Sequence, residues 1–168
     1  MTAKASTMGS VTEQDTTTSA TLPAPVRMRL PDTRTSVTHK FSVGELEGYV
    51  TVGFYEDGRP GEVFVKIAQH GSMVSGLFDT IAVLTSTALQ YGVPVETLAR
   101  KFEFSRFEPS GWTKNSELRH VHSIVDYLFR WLGLQCSESY RKERLDLLHH
   151  CPAGGSDTSG GSTSINGN

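Results

Sequence analysis

The chain is poor in the features that mark several large classes of protein. It has 2 cysteines in 168 residues, too few for a disulfide framework, which points to a reducing, cytoplasmic compartment. No stretch approaches about 18 consecutive apolar residues, so no membrane-spanning helix is expected. The N-terminus lacks the basic-then-apolar order of a signal peptide. Net charge is small: 16 Lys and Arg stand against 18 Asp and Glu, giving -2. A nucleic-acid or anionic-membrane partner held by bulk charge is therefore not expected. Aromatics make up 9% and apolar residues 37% of the chain, a thin supply that implies some of it carries no core. The length suits one domain rather than two.

What is there has a clear order. Residues 1–26 are mostly Ser, Thr, Ala and Pro and read as a disordered arm, because they cannot bury enough surface to offset the entropy of ordering. Residues 151–168 are Gly/Ser-rich and read as a flexible tail. The folded part is expected at 27–150. It opens with period-two alternation: Val37, His39, Phe41 and Val43, then Val50, Val52 and Phe54, then Val63, Val65 and Ile67. These predict three strands, at about 37–43, 48–55 and 62–68. Asp57-Gly58 between the last two predicts an antiparallel hairpin, and Ser and Gly around 42–48 suggest a similar turn before it.

After Gly71 the period becomes helical. Val74, Leu77, Phe78, Ile81, Leu84, Ala88 and Leu89 make one stripe, with Ser72 as N-cap and Gly92 as stop. A short helix is predicted from Pro94 to about Phe102. Residues 103–119 show no period and read as an ordered loop. Val121, Ile124, Val125, Leu128, Phe129 and Leu132 predict a third helix, with Asp126 and Arg130 on another face at i,i+4 spacing. A last, more polar helix is possible over 138–149. The class is α+β: a small antiparallel sheet of about three strands covered by about three helices, with disordered ends.

Candidate chemistry is sparse. Gly71-Ser72-Met73-Val74-Ser75-Gly76 joins a strand to a helix start, where free N–H groups could hold a phosphate. No Lys follows the second glycine, so it is not a P-loop, and a tight turn with a capped helix is the plainer reading. The segment Arg106-Phe107-Glu108-Pro109-Ser110-Gly111-Trp112-Thr113 could be a binding surface, or Phe107 and Trp112 could simply pin the loop to the core. His149, His150 and Cys151 are contiguous, and His120 and His122 are expected on different sides of a helix, so neither set has metal-site spacing. Cys136 near Arg141 is a conceivable nucleophile without an evident base. Glu45, Glu47, Glu56, Asp57 and Glu62 read as solvated acids in turns and strand ends.

Whole phrases carry more information than these motifs. Leu30-Pro31-Asp32-Thr33-Arg34, Glu47-Gly48-Tyr49-Val50-Thr51-Val52-Gly53, Ala88-Leu89-Gln90-Tyr91-Gly92-Val93-Pro94, Arg106-Phe107-Glu108-Pro109-Ser110-Gly111 and the run Ser123 to Gly133, in this order, resemble the C-terminal region of adenosylcobalamin-dependent (class II) ribonucleotide reductases. The likeness spans about 29–134 and corresponds to the TSCPD domain, which also occurs as small free-standing proteins. The resemblance implies deoxyribonucleotide synthesis as the setting, with the radical-forming cysteine, the reducing cysteine pair and the cobalamin and substrate pockets in a large barrel that these residues do not include. No cofactor is thus expected on this chain, no metal site and no catalytic residue. Long members of the family end in a Cys-rich tail with CxxC-type pairs; here Cys151-Pro152-Ala153-Gly154-Gly155 supplies one thiol, which can neither close a dithiol cycle nor complete a four-ligand zinc site.

Two functions follow as expectations. In the first, the chain is an accessory or detached module that docks onto a class II reductase or replaces its C-terminal region in trans, with the loop 106–113 and the turn 56–61 as contact surface. In the second, it is an independent nucleotide-binding regulatory domain, with Gly71, Ser72, Ser75 and Gly76 at the phosphates and Arg106 or Lys114 assisting. Phe107, Glu108 and Trp112 complete the candidate surface. Catalysis by the chain alone is the least favoured option, since no nucleophile–base pair or metal cluster assembles.

Overall fold

The period-two segments become three antiparallel strands in sequence order, β1 (Ser36–Val43), β2 (Leu46–Phe54) and β3 (Pro60–Ile67). The computed structural model describes residues 24–68 and 72–149. Of the expected terminal arm and tail, residues 1–23 and 151–168 lie outside it; residues 24–26 are exposed and have no regular structure. Val43 faces Leu46 across a two-residue turn in which Gly44 takes φ +57°, a conformation that favours glycine. Val50 faces Val65 and Val52 faces Val63. All four are buried with Phe41 and Val43 on the inner side, whereas Tyr49, Phe64 and Lys66 face outward. Burial of each inner side chain is worth roughly 1.5–3 kcal/mol. Gly48 permits Phe41 to lie across β2: a Cβ there would sit 2.8 Å from the Phe41 ring and 2.6 Å from the Lys66 carbonyl oxygen. The β2–β3 turn holds itself. Asp57 Oδ1 accepts the Arg59 N–H at 3.0 Å, and Gly58 has φ +83°.

α1 (Ser72–Gln90) packs on β3 with part of the expected stripe. Phe78, Ala82, Thr85, Ser86, Leu89 and Gln90 are buried, while Leu77 and Leu84 are exposed. The reason is the edge of β3. Ser86 Oγ accepts the Val63 N–H at 2.9 Å, and Gln90 Nε2 donates to the Gly61 carbonyl at 3.0 Å. An unpaired strand edge needs partners of this kind, which leucine cannot supply. Gly92, at φ +85°, ends the helix and its N–H donates to the Leu89 carbonyl at 2.9 Å. Residues 27–34 cross this corner. The Met28 N–H donates to the Gln90 carbonyl, Arg27 Nε to Gln90 Oε1, and Arg34 pairs with Glu62.

Pro94 precedes α2 (Val95–Phe102). α3 (Ile124–Cys136) is the central helix, buried on nearly every side, and α4 (Glu138–His149) follows where the last polar helix was expected. α2 and α4 close on α3 at Gly133, where a Cβ would meet the Tyr140 ring at 2.7 Å and Ala99 Cβ at 2.9 Å. The class is thus α+β, among the described residues a three-stranded sheet with four helices. Val121 is not in the third helix. It belongs to β5 (His120–Val121), which pairs antiparallel with β4 (Gly111–Trp112) inside the expected loop. The helix starts later because Ser123 is its N-cap, with Oγ accepting the Asp126 N–H at 3.0 Å. Among the described residues no helix is long and apolar enough to cross a membrane.

Candidate functional site

The segment between α2 and α3 is pinned at both ends by one buried carboxylate. Asp126 is 0% exposed. Its Oδ1 accepts the Phe104 N–H at 2.7 Å and its Oδ2 the His122 N–H at 2.8 Å. Arg130 lies 3.5 Å from Oδ2. Ser123 Oγ also donates to the Ser105 carbonyl at 2.7 Å, and the Phe107 N–H to the His122 carbonyl at 3.2 Å. The first turn of α3 thereby fixes the base of the loop, leaving Phe107 to Trp112 to project in set directions. Ser123 and Asp126 have the spacing of a capping box, a signal readable in the sequence.

On the inner side the loop closes a cleft of about 990 Å³. Buried Leu46, Phe78 and Ile124 make its floor; Val74, Leu77, Phe107 and Pro109 make its walls; Glu45, Glu47 and Glu108 stand at its rim. The Glu108–Pro109 peptide is cis. Glu108 accepts from the Ser110 N–H at 2.9 Å and the Ser110 hydroxyl at 3.0 Å. The Lys40 ammonium, 2.9 Å from Glu47, holds that carboxyl below its ordinary range and is itself raised.

The structure brings only some of the expected residues together. Phe107 and Glu108 line the cleft beside the first turns of α1, which carry Ser75 and Gly76. Gly71 lies outside the described residues, as does the side chain of Ser72. Arg106, Trp112 and Lys114 do not line the cleft. Trp112 is on the outer side against His120, with ring centroids 5.3 Å apart. Lys114 borders a smaller pocket of about 170 Å³ with Lys40, Glu47, His39, Asn115 and Tyr127. There the Tyr127 hydroxyl meets His39 Nε2 at 2.8 Å and accepts from Asn115 Nδ2 at 3.1 Å, while the His39 ring stacks on Trp131 at 4.8 Å. Burial lowers the His39 pKa and raises that of Tyr127. The turn 56–61 is self-contained: Arg59 pairs with Asp57 and lies over the Tyr55 ring.

Burial pushes the Cys136 thiol up to about 12. A thiol, not a thiolate, is present near neutral pH, and Arg141 is engaged with Glu117 and the Leu134 carbonyl. The expectation that His120 and His122 sit on different sides of a helix is corrected. In extended backbone residues two apart share a face, and their rings lie 5.5 Å apart. Among the described residues no three His, Cys, Asp or Glu side chains gather as a metal site. His150 and Cys151 lie outside the described residues, as does the His149 side chain.

The TSCPD domain family matches residues 20–135, a span that covers the sheet, the cleft and nearly all of α3. The chain belongs to the TSCPD domain family. This TSCPD domain is 53% identical over 110 residues to a vitamin B12-dependent ribonucleotide reductase of Rhodopirellula baltica, covering 66% of the chain and 11% of that relative. It is 48% identical over 110 residues to a protein of the same name from Streptomyces coelicolor, with 66% and 11% covered. It is 38% identical over 127 residues to another from Bradyrhizobium diazoefficiens, with 75% and 10% covered. The TSCPD domain thus spans about a tenth of the length of these curated relatives. No solved structure matches it.

Proposed function

We propose that this TSCPD domain is a non-catalytic docking module of a vitamin B12-dependent ribonucleotide reductase system, working in the cytoplasm. The observation that carries the reading is the cleft under residues 107–109. It has an apolar floor, an acidic rim and fixed walls, and it lies within the span matched by the TSCPD family. Such a groove suits a polypeptide segment with apolar side chains between cationic ones, because the apolar groups gain burial and the rim attracts the flanks. A phosphate at the start of α1 would instead meet Glu45, Glu47 and Glu108 around the same opening, which argues against the nucleotide-regulatory alternative.

The experiment is capture of the purified reductase from the same organism on immobilised domain, repeated with Leu77→Glu. Leu77 is 56% exposed, so the substitution leaves the core intact while charging the wall. Retention of the reductase, with binding at least about tenfold weaker for L77E, supports docking. No retention, or identical retention by both forms, sinks it. Calorimetry with NDPs, NTPs and dNTPs runs alongside. Heat there without reductase capture would replace docking by nucleotide regulation.

A further inference from the structure

Past the residues that wall the cleft, α1 leaves one face uncovered. Its inner side meets β3, with Phe78, Ala82, Ser86 and Leu89 buried. The opposite side, from Thr80 to Tyr91, faces outward: Val83 is 63% and Leu84 65% exposed. A helix turned to water ordinarily carries charge on that side. α4 does, with six charged residues in 12. α1 has one in 19, Asp79, and Lys66 of β3 pairs with it at 3.1 Å.

The hydroxyls on this face are already engaged. Thr80 Oγ1 donates to the Gly76 carbonyl and Thr87 Oγ1 to the Val83 carbonyl, each at 2.8 Å. Bonds made inside one helical turn keep these donors satisfied when water leaves. Beside the exposed ridge lies a groove of about 360 Å³. Ile81, Leu84 and Ala88 of α1 form one wall, and Leu98 and Phe102 of α2 with Phe129 of α3 form the other. Leu84 belongs to both ridge and groove. A ridge and a groove of one chemistry, side by side, fit a second copy of themselves when turned about a two-fold axis.

We propose that two copies of this chain associate here, α1 across α1, about a two-fold axis near Leu84. Leu84 of each copy enters the other's groove. The exposed parts of Val83, Leu84, Tyr91 and Phe102, with the half-buried groove side chains, amount to on the order of 500 Å² per copy. The pair would bury about 1,000 Å², the size at which specific association begins. The face carries no charge to repel its own copy or to select a charged partner, and a net charge of -2 leaves little repulsion between chains. Residues 1–23 and 150–168 are rich in Ser, Thr and Gly and hold few large apolar side chains with which to fill the groove. Leu84 does not line the cleft, so the proposal does not depend on the docking reading.

Sedimentation equilibrium on the full chain tests it. Between about 1 and 200 µM the mass should rise from 18.4 kDa towards twice that value, as a contact at the small end of the range predicts. Raising NaCl to about 0.5 M should not weaken association, because no charge pair is involved. Leu84→Glu and Thr80→Arg should each weaken it at least about tenfold, with an unchanged urea midpoint because both side chains are exposed. Leu147→Glu, at an exposed position of α4, should leave the mass unchanged. A chain that stays at 18.4 kDa overturns the proposal. So does a dimer that L84E and T80R leave intact, or that L147E breaks as readily. Capture of the reductase by L84E should match that of the unchanged chain. Loss of capture by L84E from a chain that is monomeric throughout would assign this face to the reductase and overturn the proposal.

Discussion

The two sides of the segment 104–122 share a backbone and differ in almost everything else. The inner side is concave, floored by buried leucine, phenylalanine and isoleucine, and rimmed by glutamates. The outer side is a row of rings, Trp112, His120 and His122. One anchor serves both, the carboxylate of Asp126. The difference shows how a short aperiodic loop can present two chemistries at once. A two-residue β-ladder sends alternate side chains to opposite faces, and a buried acceptor fixes which face is which.

The sharpest way to break the comparison is to remove the anchor. Asp126→Ala leaves two backbone N–H groups without their acceptor in a buried setting and is expected to cost roughly 2–4 kcal/mol. Urea denaturation should show it, and the cleft should lose its partner with it. Separating the sides takes smaller changes. L77E should weaken only the cleft's partner, by at least about tenfold. Trp112→Ala should leave the cleft's partner bound as before, and alter stability by less than about 0.5 kcal/mol because Trp112 is exposed. If Trp112→Ala weakens the cleft's partner as much as L77E does, the two sides are one site.

The smallest expected effect concerns His39 of β1, whose ring stacks on Trp131 of α3. Its folded pKa is depressed by burial, so the unfolded chain binds the proton more readily. The stability it contributes is complete above its ordinary value near 6.5 and is lost as pH falls through that value towards the folded one. The urea midpoint should drop between neutral and mildly acid buffer, and His39→Gln should drop less. An equal drop in both would remove His39 from the account.

The sheet was legible because alternation is a local signal, and Asp57-Gly58 marks its second turn on sight. The buried face of α1 was legible only in part, through Phe78 and Leu89. A hydrophobic stripe selects Leu77 and Leu84, whereas the helix turns Ser86 and Gln90 inward to satisfy the edge of β3. That demand appears only once β3 exists. β4 and β5 are two residues each, too short to show a period, so Val121 joined the helical pattern that starts three residues later. The candidate site was half legible. Phe107 and Glu108 stood out as unusual loop residues, but nothing along the chain says that Leu46 and Leu77 arrive beside them. The role of Asp126 was written in its spacing from Ser123 and was obscured by its equally plausible pairing with Arg130.

The polar seal on β3 has a consequence for growth of the sheet. With Val63 and Gly61 already bonded to α1, a fourth strand cannot enter at that border without displacing a helix. Among the described residues β1 is the other border, and its only strand neighbour is β2. The sheet is therefore a one-sided template: any chain that extends it, whether from a neighbouring molecule or from another part of its own, must add alongside Ser36–Val43.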